Sequence, residues 1–162
     1  MLDRQGIAAA SQTLMAHWRA GTKLDALEPS QRPRDRAEGY AIQAAIEQSS
    51  AGALFGWKIA ATSEAGQKHI NVDGPMAGRI LSETVIADGG TASMAGNEMR
   101  VGEPEFAFRM ATDLPPRPSP YTVAEVLAAV DTLHPAIEIP DSRFSDFVSA
   151  GPAQIIDRKS VV

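Results

Sequence analysis

The sequence predicts an α+β protein with a β-rich core, on three observations. Two amphipathic helical stretches come first, short apolar segments bounded by glycine and proline follow, and a capping box opens one late helix. Helices grouped ahead of strands argue against an alternating parallel sheet.

Ile7, Leu14 and Trp18 recur at helical spacing, so a helix is expected from about residue 2 to 19. A polar stretch with Pro29 and Pro33 ends it. Ala37, Tyr40, Ala41 and Ala44 mark a second helix running to about Gln48, closed by Ser49, Ser50 and Gly52. Leu54 to Ala61 is short, apolar and flanked by glycine, as a buried strand is. Thr62 and Ser63 are placed to cap a short helix through Lys68, with Glu64 in its first turn. Gly74-Pro75 and Asp88-Gly89-Gly90 read as turns, with short strands expected at Gly78 to Leu81 and Glu83 to Ile86. Val101 to Met110 reads as a strand, and Pro115, Pro116, Pro118 and Pro120 as a rigid loop. Thr122-x-x-Glu125 is a capping box, and Val123, Val126, Leu127 and Val130 follow at i, i+3, i+4 and i+7, which predicts a helix. Pro135 to Ile139 is a compact strand candidate.

The 162 residues, 44% hydrophobic and 22% charged, suit one globular domain with a real core. A net charge of −5 with no basic run argues against a nucleic-acid partner. The chain has no cysteine, which excludes disulfides, thiolate metal sites and cysteine nucleophiles. No apolar run approaches the roughly 20 residues of a membrane span, so no membrane partner is expected. The first residues do not spell a secretory signal, which makes the cytoplasm the default location.

The informative residues are carboxylates in apolar strands. In Glu103-Pro104-Glu105-Phe106-Ala107-Phe108 the strand period puts Glu103, Glu105 and Ala107 on one face and Pro104, Phe106 and Phe108 on the other, which is expected to be core. Glu138 sits in His134-Pro135-Ala136-Ile137-Glu138-Ile139-Pro140, an acid among apolar residues. Glutamate is rarely buried without a partner, and carboxylates about 4 Å apart repel by roughly 4 kcal/mol at an effective dielectric of 20. Three such groups converging need a cation or a shared proton, and a hard dication such as Mg2+ or Mn2+ suits oxygen donors. Spacing alone leaves a second reading open, since Glu-x-Glu is also the pattern of a solvent-facing strand.

Lys58, in Phe55-Gly56-Trp57-Lys58-Ile59-Ala60-Ala61, is a second oddity. A desolvated lysine can shuttle protons, while a snorkelling lysine at a strand end is the structural alternative. His17, His69 and His134 make no ligand pattern and read as structural. Ser63 and Ser142 lack a nucleophile elbow, and the scattered glycines spell no phosphate loop.

Three segments, in order, resemble a known family. Gly56-Trp57-Lys58-Ile59-Ala60-Ala61-Thr62-Ser63 is similar to the Gly-Tyr-Lys-Ile-Gly-Leu-Thr-Ser segment of 2-keto-4-pentenoate hydratases. Glu103-Pro104-Glu105-Phe106-Ala107-Phe108 resembles their Glu-x-Glu-x-Ala-Phe strand, and Pro135-Ala136-Ile137-Glu138-Ile139-Pro140-Asp141-Ser142-Arg143 their Pro-Ala-Leu-Glu-Ile-x-Asp-Ser-Arg segment. The resemblance, spread over about Leu54 to Phe147, is to the hydratase/decarboxylase branch of the fumarylacetoacetate hydrolase superfamily. It implies N-terminal helices followed by part of a mixed β-roll or barrel of that superfamily, incomplete at the C-terminus. On that basis residues 1–52 would form a helical region and 53–156 the first part of the catalytic β-roll. Residues 157–162, whose Asp-Arg-Lys-Ser-Val-Val reads as an in-frame translation of a sequencing adapter, would be a non-native tail.

The resemblance further implies an enzyme using Mg2+ or Mn2+, with Glu103, Glu105 and Glu138 as metal ligands and Lys58 as a catalytic acid/base. The expected activity is hydration of a 2-keto or 2-hydroxy-dienoate such as 2-hydroxypenta-2,4-dienoate in aromatic-compound catabolism. A 4-oxalocrotonate-type decarboxylase or an acylpyruvate hydrolase on the same site is the enzymatic alternative, and an inactive fragment or interaction domain the other. The expected partners are a small 2-keto acid and, for the full-length protein, further copies of itself. One departure stands out: Pro75-Met76-Ala77-Gly78 carries Met76 where hydratases have an acid in a Pro-Asp-Phe-Gly-like stretch, with Asp73 nearby.

Overall fold

The computed structural model describes residues 1–69, 71–146, 150–156 and 159–161. Helices α1 (Arg4–Ala20) and α2 (Arg36–Ser49) lead. Strand β1 (Leu54–Ala60), helix α3 (Glu64–His69), strand β2 (Met76–Leu81), strand β3 (Glu103–Met110) and helix α4 (Val123–Ala129) follow, then strand β4 (Val130–Asp141), the short helix α5 (Pro152–Ile155) and strand β5 (Lys159–Val161). Two compact units result: residues 1–101 with 139–162, and residues 102–138.

In the first unit, α1 is capped by Asp3, whose carboxylate accepts from the Gly6 N–H at 2.8 Å. It ends at Gly21, whose φ of 66° is the left-handed conformation glycine adopts without a Cβ penalty. Asp35 caps α2 in the same way, accepting from the Glu38 N–H at 2.9 Å. The Glu38 carboxylate takes the backbone N–H groups of Arg34 and Leu2, and these hold its pKa below the ordinary value. Ala10, Leu14 and Met15 of α1 pack with Ile42 and Ile46 of α2, Leu27, Leu81 and Phe144, which explains the apolar stripe on each helix.

Strands β1 and β2 pair antiparallel, from Leu54 opposite Leu81 to Ala60 opposite Met76. Helix α2 is tied to β2 by polar bonds: Arg79 bonds Glu47 and Gln43, and the Ala77 N–H donates to the Tyr40 hydroxyl at 3.2 Å. The expected strand at Glu83 to Ile86 does not form. Ser82–Thr84 is a 3-10 turn, because the buried Thr84 hydroxyl donates to the Leu81 carbonyl at 2.8 Å and folds the chain back.

In the second unit, β3 and β4 form an antiparallel hairpin from Glu103 opposite Glu138 to Met110 opposite Val130. The capping box of α4 is present as expected, with Thr122 accepting from the Glu125 N–H and Glu125 accepting from the Thr122 N–H. The helix is shorter than its periodicity predicts, since Val130 pairs with Met110 and starts β4. In the proline loop, Arg117 lies 3.7 Å from the Tyr121 ring centroid and makes a two-pronged bond to Glu125 at 2.8 Å. The face of Pro104, Phe106 and Phe108, expected as core, is exposed: Phe106 is 76% and Phe108 55% accessible, beside Leu133 and Ile137. A two-stranded hairpin buries little by itself, so alternation assigned the face correctly but not its burial.

Beyond the second unit, β4 continues as Ile139–Asp141, which pairs with β5. Of the expected tail, Asp157, Arg158 and Val162 lie outside the described residues, as do Phe147, Val148 and Ser149. Among the described residues no helix is long and apolar enough to cross a membrane.

Candidate metal centre

Residues directly opposite in an antiparallel pair share a face. The register sets Glu103 against Glu138 and Glu105 against Ala136, so all three glutamates stand on one face of the β3–β4 hairpin. One carboxylate oxygen from each lies within 4.8 Å of the others. Glu138 is buried, Glu103 half-buried and Glu105 exposed, so the cluster runs from the interior to the surface. Strand β3 is an edge strand in the order β3-β4-β5, the position that tolerates Pro104 and its missing N–H donor.

At such separations each pair of ionised carboxylates repels by roughly 3 kcal/mol at an effective dielectric of 20. A divalent cation would offset that repulsion, and an all-oxygen donor set with no nitrogen or sulfur is the kind magnesium and manganese take. The residues present therefore fit such an ion.

Lys58 lies in the first unit, on β1 opposite Gly78. A Cβ built on Gly78 would meet Lys58 Cγ and Cε at 2.9 Å, so the lysine stem lies flat across a position that only glycine leaves open. Met76 is buried with Ile155 and Ile156 in a small apolar cluster. Asp73 is 90% exposed at its side chain and ion-paired with Arg36. Ser63 caps α3 as expected, its hydroxyl accepting from the Gly66 N–H at 3.1 Å, and His17 bonds Thr22 at the end of α1. His134 pairs with Ala107 across the hairpin and so stands on the glutamate face, its Nε2 2.8 Å from the Thr132 hydroxyl. The alternation that groups Glu103 with Glu105 also groups His134, Ala136 and Glu138, and that signal was in the sequence.

No protein-family model matches the chain. Its fold is that of 4-oxalocrotonate decarboxylase. The solved enzyme from Pseudomonas putida G7, complexed with magnesium and adipate, matches with a TM-score of 0.82 over 96% of this chain and 59% of that one, at 20% identity. The same enzyme complexed with calcium and acetate gives a TM-score of 0.80 over the same 96% and 59%, also at 20% identity.

The sequence relatives narrow the class. The chain is 30% identical over 152 residues to 2-hydroxyhexa-2,4-dienoate hydratase of Comamonas testosteroni, covering 91% of this chain and 57% of the relative. It is 28% identical over 150 residues to 2-keto-4-pentenoate hydratase of Burkholderia vietnamiensis, covering 91% and 56%. Against 4-oxalocrotonate decarboxylase of a Pseudomonas species it is 33% identical over 105 residues, covering 65% and 40%. The chain is thus a homologue of the 2-keto-4-pentenoate hydratases and 4-oxalocrotonate decarboxylases, the branch its motifs resemble. It spans about half the length of the curated relatives it matches.

Proposed function

We propose that the chain carries the metal site of a divalent-metal-dependent lyase. Its substrate would be a 2-keto or 2-hydroxy-dienoate such as 2-hydroxypenta-2,4-dienoate, met in aromatic-compound catabolism. The observation that carries this reading is the convergence of Glu103, Glu105 and Glu138 on one hairpin face in a homologue of such hydratases. Glu103, Glu105 and Glu138 would hold Mg2+ or Mn2+. When bound, the ion supplies Lewis acidity toward the oxygens of a 2-keto acid. Buried Glu138 and half-buried Glu103 would fix one side of the site, leaving the exposed Glu105 side open to substrate. Lys58 is proposed as the acid/base that moves a proton on the substrate's carbon chain. Assembly of the whole protein into a homo-oligomer, and a cytoplasmic location, belong to the same proposal.

Decarboxylation of a 4-oxalocrotonate-type substrate is the second reading, and the Met76 departure favours it. A buried methionine cannot activate water, and Asp73 is exposed and paired with Arg36. Losing carbon dioxide needs no added water. The test is an assay of the purified chain with 2-hydroxypentadienoate, 4-oxalocrotonate and an acylpyruvate, with magnesium and with a chelator. Turnover that requires magnesium and is lost in Glu138→Gln supports the proposal. Chelator-insensitive turnover, or full activity in Glu138→Gln, overturns it.

A further inference from the structure

We infer that Gly78 is a positioning residue for Lys58: its missing side chain sets the course of the lysine stem and so fixes where the amine is delivered. The inference rests on the acid/base reading of Lys58 above and adds a second residue to it. Glycine weakens the interior of a strand, so a buried glycine in β2 needs a reason. Backbone conformation does not supply one. Among the described residues the glycines with positive φ are Gly21, Gly89, Gly96 and Gly151, and Gly78 is not one of them. Nor does a bulge, since the register shift of the β1–β2 pair lies between Leu54 and Gly56. Close approach of another group is the reason that remains.

That group is the stem of Lys58, directly opposite. A Cβ on Gly78 would lie 2.9 Å from Lys58 Cγ, 3.4 Å from Cδ and 2.9 Å from Cε, and these are the three atoms nearest to it. The contact therefore runs along the stem and is not confined to its mobile end. Turning the outer torsions would clear Cε but not Cγ, whose place is set by χ1. Clearing Cγ takes either a strained departure from the staggered χ1 well or a jump of about 120° to the next well. Both move every atom beyond Cγ, the amine included.

Strand β2 is held against giving way instead. On one side of Gly78, the Ala77 N–H donates to the Tyr40 hydroxyl at 3.2 Å, and the Ala77 carbonyl accepts from the Gln43 amide at 3.3 Å. On the other side, Arg79 bonds Glu47 and Gln43, and its guanidinium lies 4.6 Å from the Trp57 ring centroid. Both neighbours of Gly78 are thus tied to α2, and the Trp57–Arg79 rung ties β1 to β2 beside the lysine. A side chain added at Gly78 is relieved by moving Lys58. With the Lys58 stem removed, the same side chain meets nothing closer than ordinary van der Waals contact.

The experiment is a double-mutant cycle on the purified chain: wild type, Gly78→Ala, Lys58→Ala and Lys58→Ala/Gly78→Ala. Each is measured for Tm by circular dichroism and for magnesium-dependent turnover of 2-hydroxypentadienoate and 4-oxalocrotonate. Gly78→Ala is expected to lower the Tm of wild type by about 5 °C through overpacking. In the Lys58→Ala background it is expected to raise Tm by about 2 °C, because alanine suits a strand better than glycine and nothing crowds it there. Gly78→Ala should also lower kcat by about tenfold or more with KM held within about twofold, and should cause no further loss in the Lys58→Ala background. A glycine of merely structural importance would lower Tm and kcat in both backgrounds. If Gly78→Ala alone does not fold, a folded Lys58→Ala/Gly78→Ala protein supports the inference as the opposite Tm shifts would. A Tm shift of the same sign in both backgrounds, or wild-type kcat in Gly78→Ala, overturns the inference alone. Turnover untouched by Lys58→Ala, or no turnover in wild type, overturns the acid/base reading and the inference with it.

Discussion

Replacing Glu138 with glutamine keeps the side chain's volume and removes one charge from the cluster. Its carboxylate oxygen lies within 4.8 Å of one on Glu103 and one on Glu105. Each contact amounts to roughly 3 kcal/mol of repulsion at an effective dielectric of 20. Glu105 is exposed, so solvent removes most of its share, and the Glu103 contact dominates. Glutamine removes up to about 3 kcal/mol of that repulsion from the metal-free cluster. Magnesium should separate the two proteins. Wild type gains about 2.7 kcal/mol at a free ion concentration 100 times the Kd, whereas the glutamine variant, short of one anionic ligand, gains much less. Thermal denaturation by circular dichroism, with chelator and with a magnesium series, reads both effects. An equal magnesium-induced rise in Tm in the two proteins would refute the reasoning.

Other perturbations test the scaffold. Lys23 and Asp141 form an ion pair whose side chains are 11% and 9% exposed. Lys23→Met should cost about 3–5 kcal/mol, as breaking a buried pair does, and Lys23→Met/Asp141→Leu should recover part of that loss in urea denaturation; equal losses would sink the idea. The Glu125 carboxyl is pushed down to about 2, first by Arg117 and then by Thr122. A depressed pKa means that its stabilisation is present above the ordinary value of 4.5 and is lost as pH falls toward 2. Amide exchange in α4 should accelerate across that window in wild type and show no such step in Glu125→Gln. Gly21→Ala meets no neighbour within 4 Å but must adopt a φ of 66°. It should lose about 1 kcal/mol from backbone conformation alone, and an unchanged Tm would contradict this.

The sequence made some of this legible and not the rest, for physical reasons. Strand alternation placed Glu103 and Glu105 together, and an acid in an apolar segment marked Glu138. Joining them needed the register of β3 against β4, which lies in no local pattern. His134 shares the face of Glu138 by alternation within β4 alone, and the register adds only its partner Ala107. Phe106 and Phe108 were assigned to the right face but not to the right environment, because burial depends on what lies against a face. Val130 fits the helical period of α4, yet its strand pairing with Met110 prevails, a case of tertiary context overriding local preference. The capping box at Thr122 needed no tertiary context, since all its partners lie within one turn.

The most direct test of the central claim is a manganese titration of the purified chain followed by electron paramagnetic resonance, beside the Glu103→Gln/Glu105→Gln/Glu138→Gln variant. The account predicts one site per chain in wild type and none of comparable affinity in the variant, with the fold retained by circular dichroism. Equal manganese affinity in the two proteins would contradict it.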